Sequence, residues 1–371
     1  MLVMLPEPYD NHVVAAISLP PVPYDGTAVR PGWAALPAGL RDAIAARIGG
    51  PPTTVRVAGA GFTRGFAALL TGPDGERTFV KAAALDGQRH LADWYFHEAN
   101  VLARLPADLP VPRPRWALAE AGWYALALTA VDGHLPRLPW NPAELDAALG
   151  TYAEVAAALA DPPAPLLALE LPHLADLARD DLLSWRDVAA GRARLPWDAP
   201  PGRLPSAAPA GTTAPAASPE PVEAGRQGPG RPPHVPLSAL VTLESRLPGY
   251  AAGGGLAHGD LRVDNLLIGH DGRAWLCDWT WLCHGPAWFD LVSLLITGYA
   301  SGLDADAAFA GHPAAAQAPA DALDVTLAAL SGYFLTSATA GPSSASPHLR
   351  AHQRWSGEQA FSWLAARQGW T

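Results

Sequence analysis

The chain has 371 residues, 49% apolar and 16% charged, with a formal net charge of −10; that is enough for two domains or one large two-lobed globular unit. The acidic balance speaks against nucleic acid or an anionic membrane as partner, because both attract basic surfaces. Two cysteines, a start (MLVMLPEPYDNHVV) without a basic head and apolar core, and no run near the roughly 20 apolar residues of a membrane helix point to a reducing, cytoplasmic home.

In chain order, residues 1–36 are Pro-rich and irregular, an N-terminal arm. LPAGLRDAIAARIG (36–49) spaces Leu40, Ile44 and Ile48 along one helical face and stops at Gly49 and Gly50. TTVRVAGAGFTRGFAALLTGPDGERTFVKAA then predicts a strand, a Gly-rich loop, a second strand, a turn at GPDG and a third strand. A helix follows over 90–105, with Leu91, Tyr95, Ala99 and Leu102 on one face, and RWALAE and WYALALTAV give two more strands around an AG turn. After Gly133 the pattern turns helical: PAELDAALGTYAEVAAALA, then LADLARDDLLSWRDVAAGRARL (174–195), then PLSALVTLESRLPGY (236–250). Between the last two, residues 196–236 are dominated by Pro, Ala, Gly and Ser, too poor in aliphatic anchors to offset their ordering entropy, and predict a disordered insertion. A hairpin and helices over 288–299, 319–336 and 347–368 finish the chain. The fold class is α+β: a small, mainly antiparallel β lobe with one helix over 37–132, and a larger helical lobe over 133–371.

One residue stands out from the composition. Lys81 is the only lysine beside twenty-four arginines, and it sits in an apolar TFV-K-AAA run. Where arginine has replaced lysine everywhere else, a site that needs a compact ammonium on a flexible stem, not a wide guanidinium fork, would keep it. Glu98 on the next helix is the candidate ion-pair partner, and the glycines of AGAGFTRGF (Gly59, Gly61 and Gly65) let backbone N–H groups approach phosphate oxygens.

The densest polar cluster is LAHGDLRVDNLLIGHDGRAWLCDWTWL (256–282). Asn265 opens one arm of its hairpin and Asp278 closes the other, so they lie side by side, with Asp260 in the loop just before. A neutral oxygen donor beside a carboxylate suits Mg²⁺, which keeps waters and takes phosphate oxygens. The second carboxylate, Asp260, is free to orient a hydroxyl and accept its proton. His258 reads as a loop-bracing group, not a base. Phosphoryl transfer needs little beyond positioning and charge neutralisation.

Lys81 on the third strand, Glu98 on the following helix, HGDxxxxN from His258 to Asn265, and DW at Asp278 together resemble the aminoglycoside phosphotransferase family, small-molecule kinases of protein-kinase-like fold. LPVPRPRW, ALALTAVDGHLP and FDLVSLL add to the likeness, which covers roughly residues 37–300. The resemblance implies that Asp260 is the catalytic base and that Asn265 and Asp278 bind Mg²⁺. It further implies that Lys81 contacts the phosphates of ATP or GTP, that Asp290 braces the catalytic loop, and that backbone groups from Leu128 to Val131 meet the purine. Arg262 and Asp264 depart from the family's usual HGDLHPGN and alter the charge beside the base; the Gly-rich loop, G-x-G-x-x-x-G, departs from the protein-kinase spacing.

The expected activity is Mg-dependent transfer of a nucleotide γ-phosphate to a hydroxyl of a small molecule, an aminoglycoside among the candidates, by a monomer. The alternatives are a kinase of another metabolite (amino alcohol, sugar or macrolide) and a nucleotide binder that has lost catalysis. Asp304, Asp306, Asp321, Asp324 and Glu358, on the C-terminal helices, are either polyamine ligands or solvated charges. Cys277, Cys283, His258 and His284 match no usual zinc spacing.

Overall fold

The computed structural model describes residues 16–198, 236–341 and 345–370. Helix α1 (Ala38–Arg47) opens the regular structure and ends at Gly49, whose φ of 81° a residue with a side chain adopts only under strain. Strands β1 (Thr54–Val57), β2 (Phe66–Thr71) and β3 (Arg77–Ala84) follow, then helix α2 (Arg89–Leu102), then β4 (Pro114–Glu120) and β5 (Trp123–Thr129). The five strands form one antiparallel sheet in the order β1-β2-β3-β5-β4.

Period-two alternation splits this sheet into two faces. Phe66, Ala68, Leu70, Val80, Ala82, Ala125 and Ala127 turn to one side and bury against Leu40 and Ile44 of α1. Ala83, Leu126 and Leu128 turn to the other, joining Leu91, Tyr95 and Leu102 of α2 in the main core. The small lobe thus carries a helix on each face, and α2 lies on the side that faces the rest of the chain.

The second half begins with β6 (Gly133–His134), which pairs with β8 (Leu266–Gly269); β8 pairs in turn with β9 (Ala274–Leu276) to form a hairpin. Helices α3 (Pro142–Ala160), α4 (Ala164–Leu167), α5 (Leu174–Asp181), α6 (Ser184–Ala189), α7 (Leu237–Glu244) and α8 (Leu247–Tyr250) come between. Asn141 caps α3 by accepting from Ala143 N–H at 3.0 Å, with Pro142 at the first helical position. The short pair β7 (Leu256–Ala257) and β10 (Cys283–His284) brackets the hairpin. Helices α9 (Trp288–Ala300), α10 (Ala305–Gly311), α11 (Ala322–Ala338) and α12 (Leu349–Gln368) complete the larger lobe. None of the helices among the described residues is long and apolar enough to cross a membrane.

Two helices expected to be continuous are each broken. The run over 174–195 divides at Leu182 and Leu183, because turning α6 lets fully buried Trp185 donate from Nε1 to the Ala328 carbonyl at 2.8 Å. The run over 236–250 divides after Glu244, where Pro248 lacks the N–H that would have bonded back to residue 244. Of the insertion over 196–236, residues 199–235 lie outside the described residues; 196–198 form a turn with Trp197 packed against the core. Of the N-terminal arm, 16–35 are described, and they are packed in place: Ser18 N–H donates to the Ala300 carbonyl at 2.8 Å and Trp355 Nε1 to Ser18 Oγ at 3.1 Å.

The helices on either side of residues 199–235 are tied together by a buried carboxylate. Glu244 accepts from Trp185 N–H at 2.9 Å and Arg186 N–H at 2.6 Å, capping the start of α6 from α7. Glu244→Ala would leave both N–H groups without that acceptor, and is expected to lower unfolding stability by about 2–4 kcal/mol, read from the urea midpoint.

Candidate active site

The parity of β3 decides where Lys81 points. Since Val80 and Ala82 face α1, Lys81 faces α2 and the crevice beyond it. Its ammonium lies 2.9 and 2.8 Å from the two carboxylate oxygens of Glu98 and 3.3 Å from Asp278 Oδ1. Glu98 is completely buried and the Lys81 side chain only 12% exposed. Burial alone would lower the lysine pKa, but Asp278, then Glu98, more than offset it and hold the ammonium above its ordinary value. The pairing expected from the sequence is therefore present, and it reaches across the crevice to the hairpin.

That hairpin forms as its alternation predicts. Leu266 stands opposite Leu276, and Cys277 N–H donates to the Asn265 carbonyl at 2.9 Å, closing the open end. The chain then turns sharply at Asp278, whose φ of 61° and ψ of 66° are left-handed and costly for a residue with a side chain. Burial would raise the Asp278 carboxyl, but Lys81 and the Thr280 hydroxyl, at 2.9 Å, hold it down at about 2. Lys81 and Thr280 both meet Oδ1, and no hydrogen bond among the described residues claims Oδ2. Asn265 Nδ2 donates to the Asp260 carbonyl at 2.8 Å and to Asp260 Oδ2 at 3.1 Å, which leaves Asn265 Oδ1 as the open atom. One amide oxygen and one carboxylate oxygen remain, hard donors of the kind Mg²⁺ takes together with phosphate oxygens and water. The residues present fit that ion.

Asp290 lies beneath the loop that carries Asp260. It is fully buried, its Oδ2 accepting from His258 N–H at 2.6 Å and Tyr152 O–H at 3.0 Å, and its Oδ1 from Gly259 N–H at 3.0 Å. Burial raises its pKa to about 6 against these donors. Gly259 has φ 81°, and a Cβ there would fall 2.2 Å from the Trp281 carbonyl oxygen, so the glycine of the HGD loop is obligatory. His258 Nε2 lies 3.0 Å from the Cys277 carbonyl, and its Nδ1 accepts from Asp260 N–H at 3.3 Å. Both ring nitrogens are thus engaged with backbone, and burial lowers the His258 pKa to about 4. It is a neutral brace.

Asp260 itself is one-quarter exposed. Burial pushes its carboxyl up to about 7, while the Arg262 guanidinium, 2.9 Å away, works in the opposite direction. Arg262 also grips the nearly buried Asp264 through two contacts, 3.0 and 3.2 Å, and lies 5.7 Å from the Phe62 ring of the Gly-rich loop. The two departures from the family loop therefore form one unit: Asp264 anchors Arg262, and Arg262 pairs with Asp260.

The Gly-rich loop is held by contacts that the sequence did not signal. A Cβ on Gly59 would lie 2.1 Å from the Asp25 carbonyl oxygen and one on Gly65 2.4 Å from the Tyr95 hydroxyl. Gly61 N–H donates to Thr27 Oγ1 at 3.1 Å. Arg30 donates to the Gly65 carbonyl at 3.0 Å and the Ala60 carbonyl at 2.9 Å. The N-terminal arm thus accounts for the glycines at 59 and 61, and Tyr95 for the one at 65. On the far side, Ser346 N–H donates to the Phe62 carbonyl at 2.7 Å, joining the loop to the start of α12. At the hinge, Leu128 sits inside the sheet between Phe79 and Pro114, whereas Val131 lies beyond the last ladder pair and makes no backbone hydrogen bond among the described residues.

A cavity of about 390 Å³ opens beside Asp260, lined by residues of the catalytic loop, α5, α11, α12, the arm and the Gly-rich loop. A larger one, about 610 Å³, lies behind the hinge among residues 107–113, 129–132 and 269–275, and of the predicted site it touches only the hinge residues Thr129, Ala130 and Val131. The acids considered as polyamine ligands line neither. Asp306 and Asp324 pair with Arg367, Asp321 with Arg246, Glu358 with Arg354, and Asp304 caps α10. Glu358 and Asp304 are satisfied within their own helices, whereas the arginines that pair with Asp306, Asp321 and Asp324 are distant in sequence and could not be read from the local pattern.

The profile of the phosphotransferase enzyme family matches residues 56–324. Among solved structures, a macrolide 2′-phosphotransferase from Brachybacterium faecium is similar at 17% identity, over 89% of this chain and 93% of its own, with a TM-score of 0.45. An aminoglycoside phosphotransferase from Streptomyces rimosus, solved with ADP and streptomycin, is similar at 18% identity over 77% and 95%, TM-score 0.45. A choline kinase from Streptococcus pneumoniae is similar at 12% identity over 88% and 98%, TM-score 0.44. A search of curated proteins finds no significant match.

In the metal-free protein the Asp260 carboxyl is expected to titrate near pH 7 by side-chain ¹³C NMR, far above an exposed aspartate. Arg262→Gln removes the cation that opposes burial, so the midpoint should move further up; an unmoved or lower midpoint would contradict the pairing.

Proposed function

The chain belongs to the phosphotransferase enzyme family and is a small-molecule kinase acting on hydroxyl groups, and from that premise we propose that it moves the γ-phosphate of ATP or GTP at the crevice between Lys81 and Asp260. The observation that carries the reading is the 3.3 Å approach of Lys81 to Asp278, because strand β3 and the hairpin supply them from opposite sides of one cleft.

In this reading the Lys81 ammonium, oriented by Glu98, meets the nucleotide phosphates, and the purine reaches backbone groups at Val131. Asn265 and Asp278 would hold Mg²⁺, which supplies charge neutralisation on the phosphate oxygens when bound. Asp260 accepts the proton of the acceptor hydroxyl as its oxygen bonds to the γ-phosphorus. The bond from that phosphorus to the bridging oxygen breaks, and nucleoside diphosphate leaves. Arg262 favours the ionised form of Asp260 between turnovers against the effect of burial, while Asp290 and His258 fix the loop that carries it. Residues 37–132 form the nucleotide-side lobe and 133–371 the catalytic and acceptor lobe. The Gly-rich loop, pinned by Arg30, forms the cover over the cleft.

Asp260→Ala is expected to lower kcat by about 10²–10⁴-fold while Mg-nucleotide affinity, measured by calorimetry, stays within about three-fold. Lys81→Arg should be nearly as damaging despite keeping the charge, because a guanidinium cannot replace a compact ammonium between two carboxylates. A wild-type protein that binds nucleotide yet transfers phosphate to no acceptor would favour the non-catalytic alternative.

A further inference from the structure

The cavity beside Asp260 has a chemistry of its own. Its walls are apolar and aromatic, including Leu177, Leu330, Tyr333, Phe334 and Leu349, and Trp281 leaves 41% of its surface uncovered there. A volume of about 390 Å³ is at the small end of the range for sites that enclose organic ligands. Three charged side chains line it. Two of them, Asp260 and Arg262, satisfy each other at 2.9 Å. The third, Asp181 at the end of α5, is exposed and has no ion pair or hydrogen bond among the described residues.

Ser293, Gln353 and Ser356 line the cavity as well, and a histidine is buried in the same wall. His352 of α12 is 3% exposed and packed edge-on between the rings of Tyr24, at 4.9 Å, and Phe62, at 5.2 Å. Neither ring nitrogen has a partner at full hydrogen-bond geometry among the described residues; the Val22 backbone comes nearest to supplying one. Burial lowers its pKa, with the Val22 backbone and Asp264 acting weakly the other way, so the imidazole is neutral. A neutral imidazole holds one donor and one acceptor, and leaving both unmade in a protein interior is unfavourable unless something completes them.

Resting on the phosphotransferase reading, we propose that the acceptor is a compact, mostly apolar alcohol with a single cationic group, its ammonium taken by Asp181 and a polar edge by His352. A polycationic amino sugar is the wrong match. It would bring several ammonium groups to one unpaired carboxylate and press its hydrated faces against leucine and aromatic rings, leaving polar groups desolvated without partners. An apolar body covers those rings and one ammonium meets the one free acid.

The test uses the full chain and three probes: N-benzyl-N-methylethanolamine, its uncharged carbon isostere 3-methyl-4-phenylbutan-1-ol, and the tetra-amine neamine. Calorimetry without nucleotide reads binding, and a parallel assay reads phosphoryl transfer from Mg-ATP or Mg-GTP. The amino alcohol is expected to bind about ten-fold or more tightly than neamine at physiological salt. Asp181→Asn, an exposed change that does not disturb packing, should weaken the amino alcohol about three- to five-fold and leave the isostere unchanged. His352→Phe should weaken both by about two- to ten-fold. Neamine binding as tightly as the amino alcohol, or Asp181→Asn treating amine and isostere alike, overturns the proposal even if transfer is intact. Selective binding with no transfer to any bound alcohol instead overturns the phosphotransferase reading and supports the pocket chemistry.

Discussion

A lysine ammonium buried between two carboxylates is the constraint on which the rest of this molecule depends. Glu98 belongs to the helix behind Lys81, and Asp278 to a hairpin 197 residues further on. Taking such charges out of water is costly, and mutual attraction repays it only when each group is placed well. The sheet parity, the seating of α2 and the left-handed turn at Asp278 all serve that placement. Removing the lysine charge would harm more than the pair itself, since the fully buried Glu98 would be left without a cation.

The catalytic loop obeys a second version of the same rule. Asp290 collects two backbone N–H groups and a tyrosine hydroxyl, His258 bridges the loop to the hairpin, and Asn265 clasps Asp260 from below. Two oxygens remain open among the described residues, Asp278 Oδ2 and Asn265 Oδ1, and these are the ones assigned to the metal in the proposed reaction. Arg262, set by Asp264, adds a cation directly against Asp260, the base of the proposed reaction. The charge beside the chemistry is thereby tuned locally, within five residues of sequence.

The parts of this arrangement that were legible in the sequence are those written in short-range patterns. Alternation in TFVKAAA, the turn at GPDG, the hairpin around GHDG and the spacing of HGDxxxxN each act over a few residues, so period and turn chemistry sufficed. The lone lysine was informative for a different reason, because composition made it improbable by chance. What stayed hidden depends on contacts distant in sequence. Arg30 and Thr27 clasp the Gly-rich loop from a stretch with no periodicity at all. His352 and Asp181 reach the cavity beside Asp260 from helices whose local text is ordinary. The breaks at Leu182 and Ser245 interrupt runs that still read as helical, since the demand for Trp185 in the core and the missing N–H of Pro248 override the pattern.

The single lysine also offers the most direct measurement. Protein labelled with ¹⁵N only in lysine gives one side-chain NH₃⁺ resonance, without any assignment problem. The account predicts a signal protected from rapid solvent exchange that stays protonated well above the usual lysine range, and that broadens when Mn²⁺-nucleotide is added. Asp278→Asn should remove that broadening. A sharp, freely exchanging signal that ignores the paramagnetic nucleotide would mean that this ammonium does not stand at the phosphate site, and the proposed reaction centre would fall with it.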